Sequence, residues 1–250
     1  RPATPSAGAL ALRGAMMAQQ EAGAGGLIGI IPLNRLDRAK SRLASALAPA
    51  GRATLALALA EITLRALRES GALEQVAVIS PDPAALAWAG ARGAVPLLQR
   101  VANPMRRAGL NAGLRQARGW AVEQRASGLL IALGDLPLLT AEDIRRFVAM
   151  TRLYERVVAL APDRAGEGTN LLLARPAGLA PIAYGPGSFA RHRRLAQRLG
   201  APTVEFRAPG AAFDVDAPDD LDELVARGLW PPTPSDLRGL DVGCAPKERL

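Results

Sequence analysis

The chain has 250 residues, 49% of them hydrophobic, which is enough for one large α/β domain whose core needs no staples. One cysteine, Cys244, excludes an internal disulfide and a thiolate cluster, and one histidine, His192, excludes a multi-histidine zinc site. A formal charge of +8 asks for polyanionic partners, but aromatics at 4% and no base-reading signature favour nucleotide phosphates and phosphorylated small molecules over nucleic acid.

Residues 1–26, rich in Ala, Gly and Pro and carrying Met16 and Met17, lack the basic start, apolar run and cleavage site of a signal peptide. They are expected to form a disordered tail. No apolar run long enough to span a membrane is present, and the cysteine usage fits a reducing cytoplasm. Residues 27–33 (LIGIIPL) predict a buried strand. The spacing of Leu55, Leu59, Ile62 and Ala66 predicts a helix over residues 52–70, closed by Gly71. A second stripe, Leu57, Leu64 and Leu67, predicts cover on more than one side and hints at a homodimer.

Further along, strands are predicted over residues 75–80, 95–98, 128–133, 157–161, 170–174, 203–207 and 213–215. Helices are predicted over 83–92, 110–125, from Thr140 onward, 188–199 and 218–226. Thr140 reads as an N-cap, with acidic residues in the turn that follows, and Asp216 as the N-cap of the last helix. Strands alternating with helices predict a mostly parallel mixed sheet covered by helices on both faces, whose ligands collect at the strand ends. The domain is expected over residues 27–230, followed by a loose tail over 231–250.

The chemistry-bearing residues fall at those strand ends. Arg38-Ala-Lys-Ser-Arg42 sets a mobile lysine charge and bidentate arginines beside a hydroxyl, a composition suited to phosphate; the plain alternative is a solvated basic turn. Gly109-Leu-Asn-Ala-Gly113, with Arg106 and Arg107 just before it, opens a helix whose free amides attract anions. Asp135 follows an apolar strand and is stiffened by Pro137; it can hold a divalent metal or bond its own turn. Any such metal is expected to be a hard cation on oxygen ligands, which points to magnesium (Mg2+). Asp214 and Asp216 alternate and so can share a face, although Asp216 can equally serve as a cap. Gly168-Thr-Asn170 and Tyr184-Gly-Pro-Gly-Ser-Phe189 offer amides and hydroxyls to a carboxylate or phosphate. His192 shares a helical face with Ser188, and a lone histidine is more often structural than catalytic. Cationic loops, acidic strand ends and an amide-rich helix start in one sheet describe phosphoryl or nucleotidyl transfer.

The ordered set RAKSRL, GLNAGL, GDLPLL, APDRAGEGTN, YGPGSFARH and DVDAPDDL, over residues 27–226, resembles the 2-phospho-L-lactate guanylyltransferase family, which includes the phosphoenolpyruvate guanylyltransferases. The resemblance implies a nucleotidyltransferase fold of the glycosyltransferase-A-like, Rossmann-like type. It implies transfer of GMP from GTP to phosphoenolpyruvate or 2-phospho-L-lactate, with release of pyrophosphate, in the synthesis of coenzyme F-420. It implies magnesium on Asp135 and Asp216, and acceptor contacts from Thr169, Gly185 and Ser188. Lys40 and Arg42 are assigned to the leaving pyrophosphate, and nucleotide contacts to Lys40, Ser41, Ser80, Gly109 and Asn111. One departure is visible: Asn34 stands where the family carries a lysine, with Arg35 adjacent. The rivals are a guanylyl- or cytidylyltransferase acting on a sugar phosphate or 3-phosphoglycerate, a nucleotide-binding regulatory protein without turnover, and a basic nucleic-acid-binding module.

Overall fold

The computed structural model describes residues 25–100 and 109–229. Seven strands form one sheet in the order β3-β2-β1-β4-β6-β5-β7. They are β1 (Gly25–Pro32), β2 (Gln75–Ser80), β3 (Val95–Leu98), β4 (Ala126–Ala132), β5 (Val157–Pro162), β6 (Thr169–Arg175) and β7 (Thr203–Glu205). Every neighbouring pair is parallel except the two that involve β6, which runs antiparallel to both β4 and β5. The first strand begins at Gly25, paired with Ala126, two residues earlier than expected.

The central strands are apolar on both faces, as a sheet covered on two sides requires. Along β1 the faces alternate. Leu27 and Ile31 join one core cluster, and Ile28 and Ile30 join the other. The first cluster is completed by α1 (Pro49–Glu69), α2 (Pro83–Ala91) and α4 (Ala141–Ala149). The second is completed by α3 (Leu110–Glu123) and α5 (Ser188–Arg198). Thr140 caps α4 as expected, accepting from the Asp143 backbone N–H while the Asp143 side chain accepts from Thr140 N–H.

Both apolar stripes of α1 are used within the chain. Leu57, Leu64 and Leu67 face the sheet. Leu55 and Leu59 pack with Phe213, Val215, Leu221 and Leu224 in a third, smaller cluster that docks α7 (Pro218–Ala226), which follows the short helix α6 (Pro209–Ala212). The double stripe therefore gives no ground for a homodimer. Residues 213–215 are also not a strand. Phe213 and Val215 are buried in that third cluster rather than in a ladder, and a backbone hydrogen bond from Val215 N–H reaches the Asp135 carbonyl at 3.2 Å. Among the described residues no helix is long and apolar enough to cross a membrane. Residues 25–26 of the expected N-terminal tail belong to β1, while residues 1–24 and the C-terminal tail with Cys244, together with Arg106 and Arg107, lie outside the described residues.

Candidate active site

The loop after β1 crosses the carboxyl ends of the parallel strands and forms one wall of a cleft of about 340 Å³. Arg38, Lys40, Ser41 and Arg42 line that wall, with Asp135 and Asp216 among the residues that complete it. Lys40 takes a left-handed backbone conformation, φ +47°, between two single helical turns. A non-glycine residue pays roughly 1 kcal/mol or more to sit there. The conformation carries the ammonium inward. Nζ lies 2.6 Å from Asp135 Oδ2 and 3.3 Å from Asp216 Oδ1, and Arg42 Nη1 lies 3.1 Å from Asp216 Oδ2. Burial works against the Lys40 charge, but the two carboxylates more than offset it and hold its pKa above the ordinary lysine value.

Asp135 and Asp216 meet because the Val215–Asp135 backbone bond ties the segment before α7 to the turn after β4. Asp216 is not the cap of α7. Asp220 reaches back and accepts from the Asp216 and Ala217 N–H groups at 2.9 and 2.8 Å. That leaves both Asp216 oxygens for Lys40 and Arg42. Asp135 Oδ1 is buried with no hydrogen-bond partner. Asp214 accepts from Asn170 Nδ2 at 3.3 Å; burial, followed by the nearby charge of Asp135, pushes its pKa up to about 6. The arrangement is acidic enough to want a cation, and Lys40 is the cation now shared by two of the carboxylates.

This set fits magnesium. The orphaned Asp135 oxygen and the Lys40-bridged pair are oxygen donors already arranged around one positive charge. Among the described residues no three His, Cys, Asp or Glu side chains cluster tightly enough to hold a metal alone. Magnesium asks for only one or two protein carboxylates and keeps water and phosphate in its other positions.

A second group lies at the start of β6 and of α5. Because β6 is reversed, its first residues reach the same edge of the sheet as the ends of β1 and β4, and Leu133 N–H bonds the Asn170 carbonyl at 3.0 Å. Asp163 shapes the preceding loop by accepting from the Glu167 and Gly168 N–H groups at 2.9 and 2.7 Å. Thr169 and Ser188 come together as expected, with Ser188 Oγ 3.3 Å from Thr169 Oγ1. Thr169 Oγ1 also lies 3.0 Å from His192 Nδ1, while His192 Nε2 accepts from Ala183 N–H at 3.0 Å. Since Nε2 accepts, the neutral ring carries its proton on Nδ1 and donates to Thr169. Burial, assisted by the charge of Arg191, pushes the His192 pKa down to about 4. His192 is therefore a neutral brace for the hydroxyl pair. Gly185 and Gly187 hold φ +124° and +66°, conformations that favour glycine, and between them they turn the chain into α5.

Two assigned contacts, those of Asn111 and Ser80, differ from expectation, and Gly109 opens its helix as expected. Asn111 spends both ends of its amide on the Tyr184 backbone, donating to the carbonyl at 2.9 Å and accepting from the N–H at 2.7 Å. It clamps the loop before α5, and its side chain is turned to that loop. Ser80 is fully buried, with its hydroxyl accepting from Asp82 N–H at 3.0 Å. It shapes the turn after β2 instead of facing the cleft. Gly109 is the N-cap of α3, and its carbonyl accepts from Gln99 Nε2 at 3.1 Å. Asn34 lines the cleft and bonds the Arg35 N–H at 2.8 Å, while the Arg35 guanidinium is engaged by Asp37 at 3.1 Å, so Arg35 does not replace the missing lysine.

Residues 27–249 match the sequence model of the family described as guanylyl transferase, CofC like. A protein of Sphaerobacter thermophilus named phosphoenolpyruvate guanylyltransferase is 47% identical over 198 residues, 79% of this chain and 92% of that one. One of the same name from Rubrobacter xylanophilus is 40% identical over 202 residues, 81% and 95% of the two chains. In fold, the chain is similar to a nucleotide-diphospho-sugar transferase structure from Desulfovibrio desulfuricans, with TM-score 0.64, 14% identity and coverage of 86% and 91%. It is also similar to a CMP-2-keto-3-deoxy-manno-octonic acid synthetase complexed with CTP, with TM-score 0.53, 15% identity and coverage of 82% and 98%.

Proposed function

The chain belongs to the CofC-like guanylyl transferase family, and on that premise we propose that it moves GMP from GTP to phosphoenolpyruvate, releasing pyrophosphate, as a step in coenzyme F-420 synthesis. The observation that carries the reading is the Lys40 ammonium held between Asp135 and Asp216 at the cleft wall. Opposite charges at one strand edge are what a triphosphate and its magnesium require. The names of the relatives support phosphoenolpyruvate as the acceptor.

An acceptor phosphate oxygen attacks the α-phosphorus of GTP in line. A new phosphoanhydride bond forms, the bond from the α-phosphorus to the bridging oxygen breaks, and pyrophosphate leaves with that electron pair. The attacking oxygen is already ionised at neutral pH, so no general base is needed, and His192, neutral and doubly hydrogen-bonded, is not positioned to be one. Asp135 and Asp216 would hold magnesium, which when bound supplies neutralising charge to the phosphates. With those carboxylates otherwise neutralised, the Lys40 ammonium becomes available to phosphate oxygens. Arg42, exposed at the cleft mouth, adds a second charge toward the leaving group. Thr169, Gly185 and Ser188 receive the acceptor.

Pyrophosphate release tests this, measured with each of GTP, ATP, CTP and UTP against phosphoenolpyruvate, 2-phospho-L-lactate and 3-phosphoglycerate, with magnesium. GTP with phosphoenolpyruvate should be fastest. Faster turnover with ATP or CTP refutes the donor, exclusive use of another acid refutes the acceptor, and binding of GTP without turnover on any acid leaves a regulatory nucleotide-binding protein.

A further inference from the structure

Arg191 lies in the first turn of α5, three residues after Ser188. Its Nε and Nη2 atoms are closed off from solvent and have no hydrogen-bond partner. Those two atoms form the side-on fork with which a guanidinium grips a planar carboxylate through two parallel hydrogen bonds. The fork lies against Gly185, where a side-chain Cβ would stand 3.1 Å from Nη2. Its charge also reaches His192, the brace of the Thr169–Ser188 pair.

Three costs coincide at this residue. A guanidinium cannot shed its proton, so burial leaves it charged. Donors without acceptors forfeit their desolvation energy. A helix N-terminus carries partial positive charge, so a cation in its first turn meets repulsion. A single anion docked on the fork offsets all three. The cleft already has cations for phosphate in Lys40 and Arg42. Arg191 belongs instead to the elements that present Thr169, Gly185 and Ser188.

We propose that Arg191 is a specificity-determining residue of the acceptor subsite, pairing through Nε and Nη2 with the carboxylate of a small phosphorylated acid. This rests on the acceptor reading above. It adds the residue that makes the subsite demand a carboxylate, where hydroxyls and amides alone would also admit neutral oxygens. The acceptor's phosphate then points away from α5 toward the Asp135–Asp216 side, where the α-phosphorus must be.

The test is calorimetric titration of the full chain, with magnesium and α,β-methylene GTP, by phosphoenolpyruvate and by its carboxamide analogue. Arg191→Gln should weaken phosphoenolpyruvate roughly tenfold to a hundredfold, the range set by one charge-assisted bidentate contact. It should leave the carboxamide affinity and the KM for GTP as in the wild type. Arg191→Lys keeps charge but not the fork and should fall between, and it supplies the same comparison where glutamine impairs folding. Equal losses for acid and carboxamide, or no loss for either, overturn the Arg191 assignment while the function stands. A wild type that binds no phosphorylated acid overturns the acceptor reading itself.

Discussion

Lys40 Nζ and Asp135 Oδ2 lie 2.6 Å apart across 95 residues of sequence. Asp135 is about one-fifth exposed and Lys40 one-tenth, so each shields the other from an unpaired, poorly hydrated charge. Lys40→Ala and Lys40→Met should each lose on the order of a hundredfold or more in turnover. Lys40→Met keeps the stem, so its loss isolates the charge. Both variants should also unfold at lower temperature than the wild type without magnesium and recover part of the difference when it is added. Turnover retained in both returns this segment to an ordinary basic turn.

Asp216 and Asp220 divide two roles that a single aspartate was expected to combine. Asp216→Asn should fold with near wild-type stability and lose most turnover, because it caps nothing. Asp220→Ala removes the acceptor of two N–H groups and a partner of Arg164 at 3.2 Å, and should cost roughly 1–2 kcal/mol of stability. Its kcat should change little. Denaturant melts beside steady-state rates decide this; wild-type turnover in Asp216→Asn places the metal elsewhere.

Asn111→Ala should raise the KM for the acceptor and leave the KM for GTP nearly unchanged. The residue grips the Tyr184 backbone, one residue before Gly185. A selective rise in the GTP KM would restore Asn111 to the nucleotide.

Two groups should give opposite pH slopes over one window. His192 has its pKa depressed from 6.5 to about 4, so its contribution is present above pH 6.5 and is lost as pH falls toward 4. The size is up to about 3 kcal/mol for this fully buried ring. Asp214 has its pKa raised from 3.8 to about 6, so the native state keeps a proton that the unfolded chain gives up. Its effect favours the fold at low pH and declines as pH rises through that window. Wild-type stability between pH 4 and 6.5 should therefore vary less than in either variant. Asp214→Asn should lose stability more steeply on acidification, and His192→Gln should gain it. Parallel slopes in the two variants would contradict both assignments.

The strands and their order of motifs are legible in the sequence because continuous apolar runs have few other places to go, and Asp135 at the end of β4 follows from them. The rest depends on contacts between distant segments. One exception is local: an Asp two residues before a proline reads as a cap, but the proline at the first helical position makes Ala217 the cap, and Asp220 reaches back three and four residues to do that work. Alternation over 213–215 reads as a strand, yet Phe213 and Val215 were placed by the small cluster under α7. Asn111 meets its partner 73 residues away. Arg191 was invisible: in the run Arg191-His-Arg-Arg194 it looks like one charge of a solvated helix face, and only the absence of a partner for its fork marks it.

The reversal of β6 divides inheritance along the chain. Under the roles proposed above, the charges that handle the donor, Lys40, Arg42 and Asp135, are encoded before it, and Asp216 returns to them from well after it. The groups that receive the acceptor, Thr169, Gly185, Ser188 and Arg191, are encoded within it and after it. A strand entering the sheet from the opposite end brings its opening residues to an edge that parallel strands reach only with their closing ones. On those roles residues 163–192 form a cassette: a swap of that stretch between relatives should change which acid is accepted and leave the machinery that reads and splits the triphosphate in place.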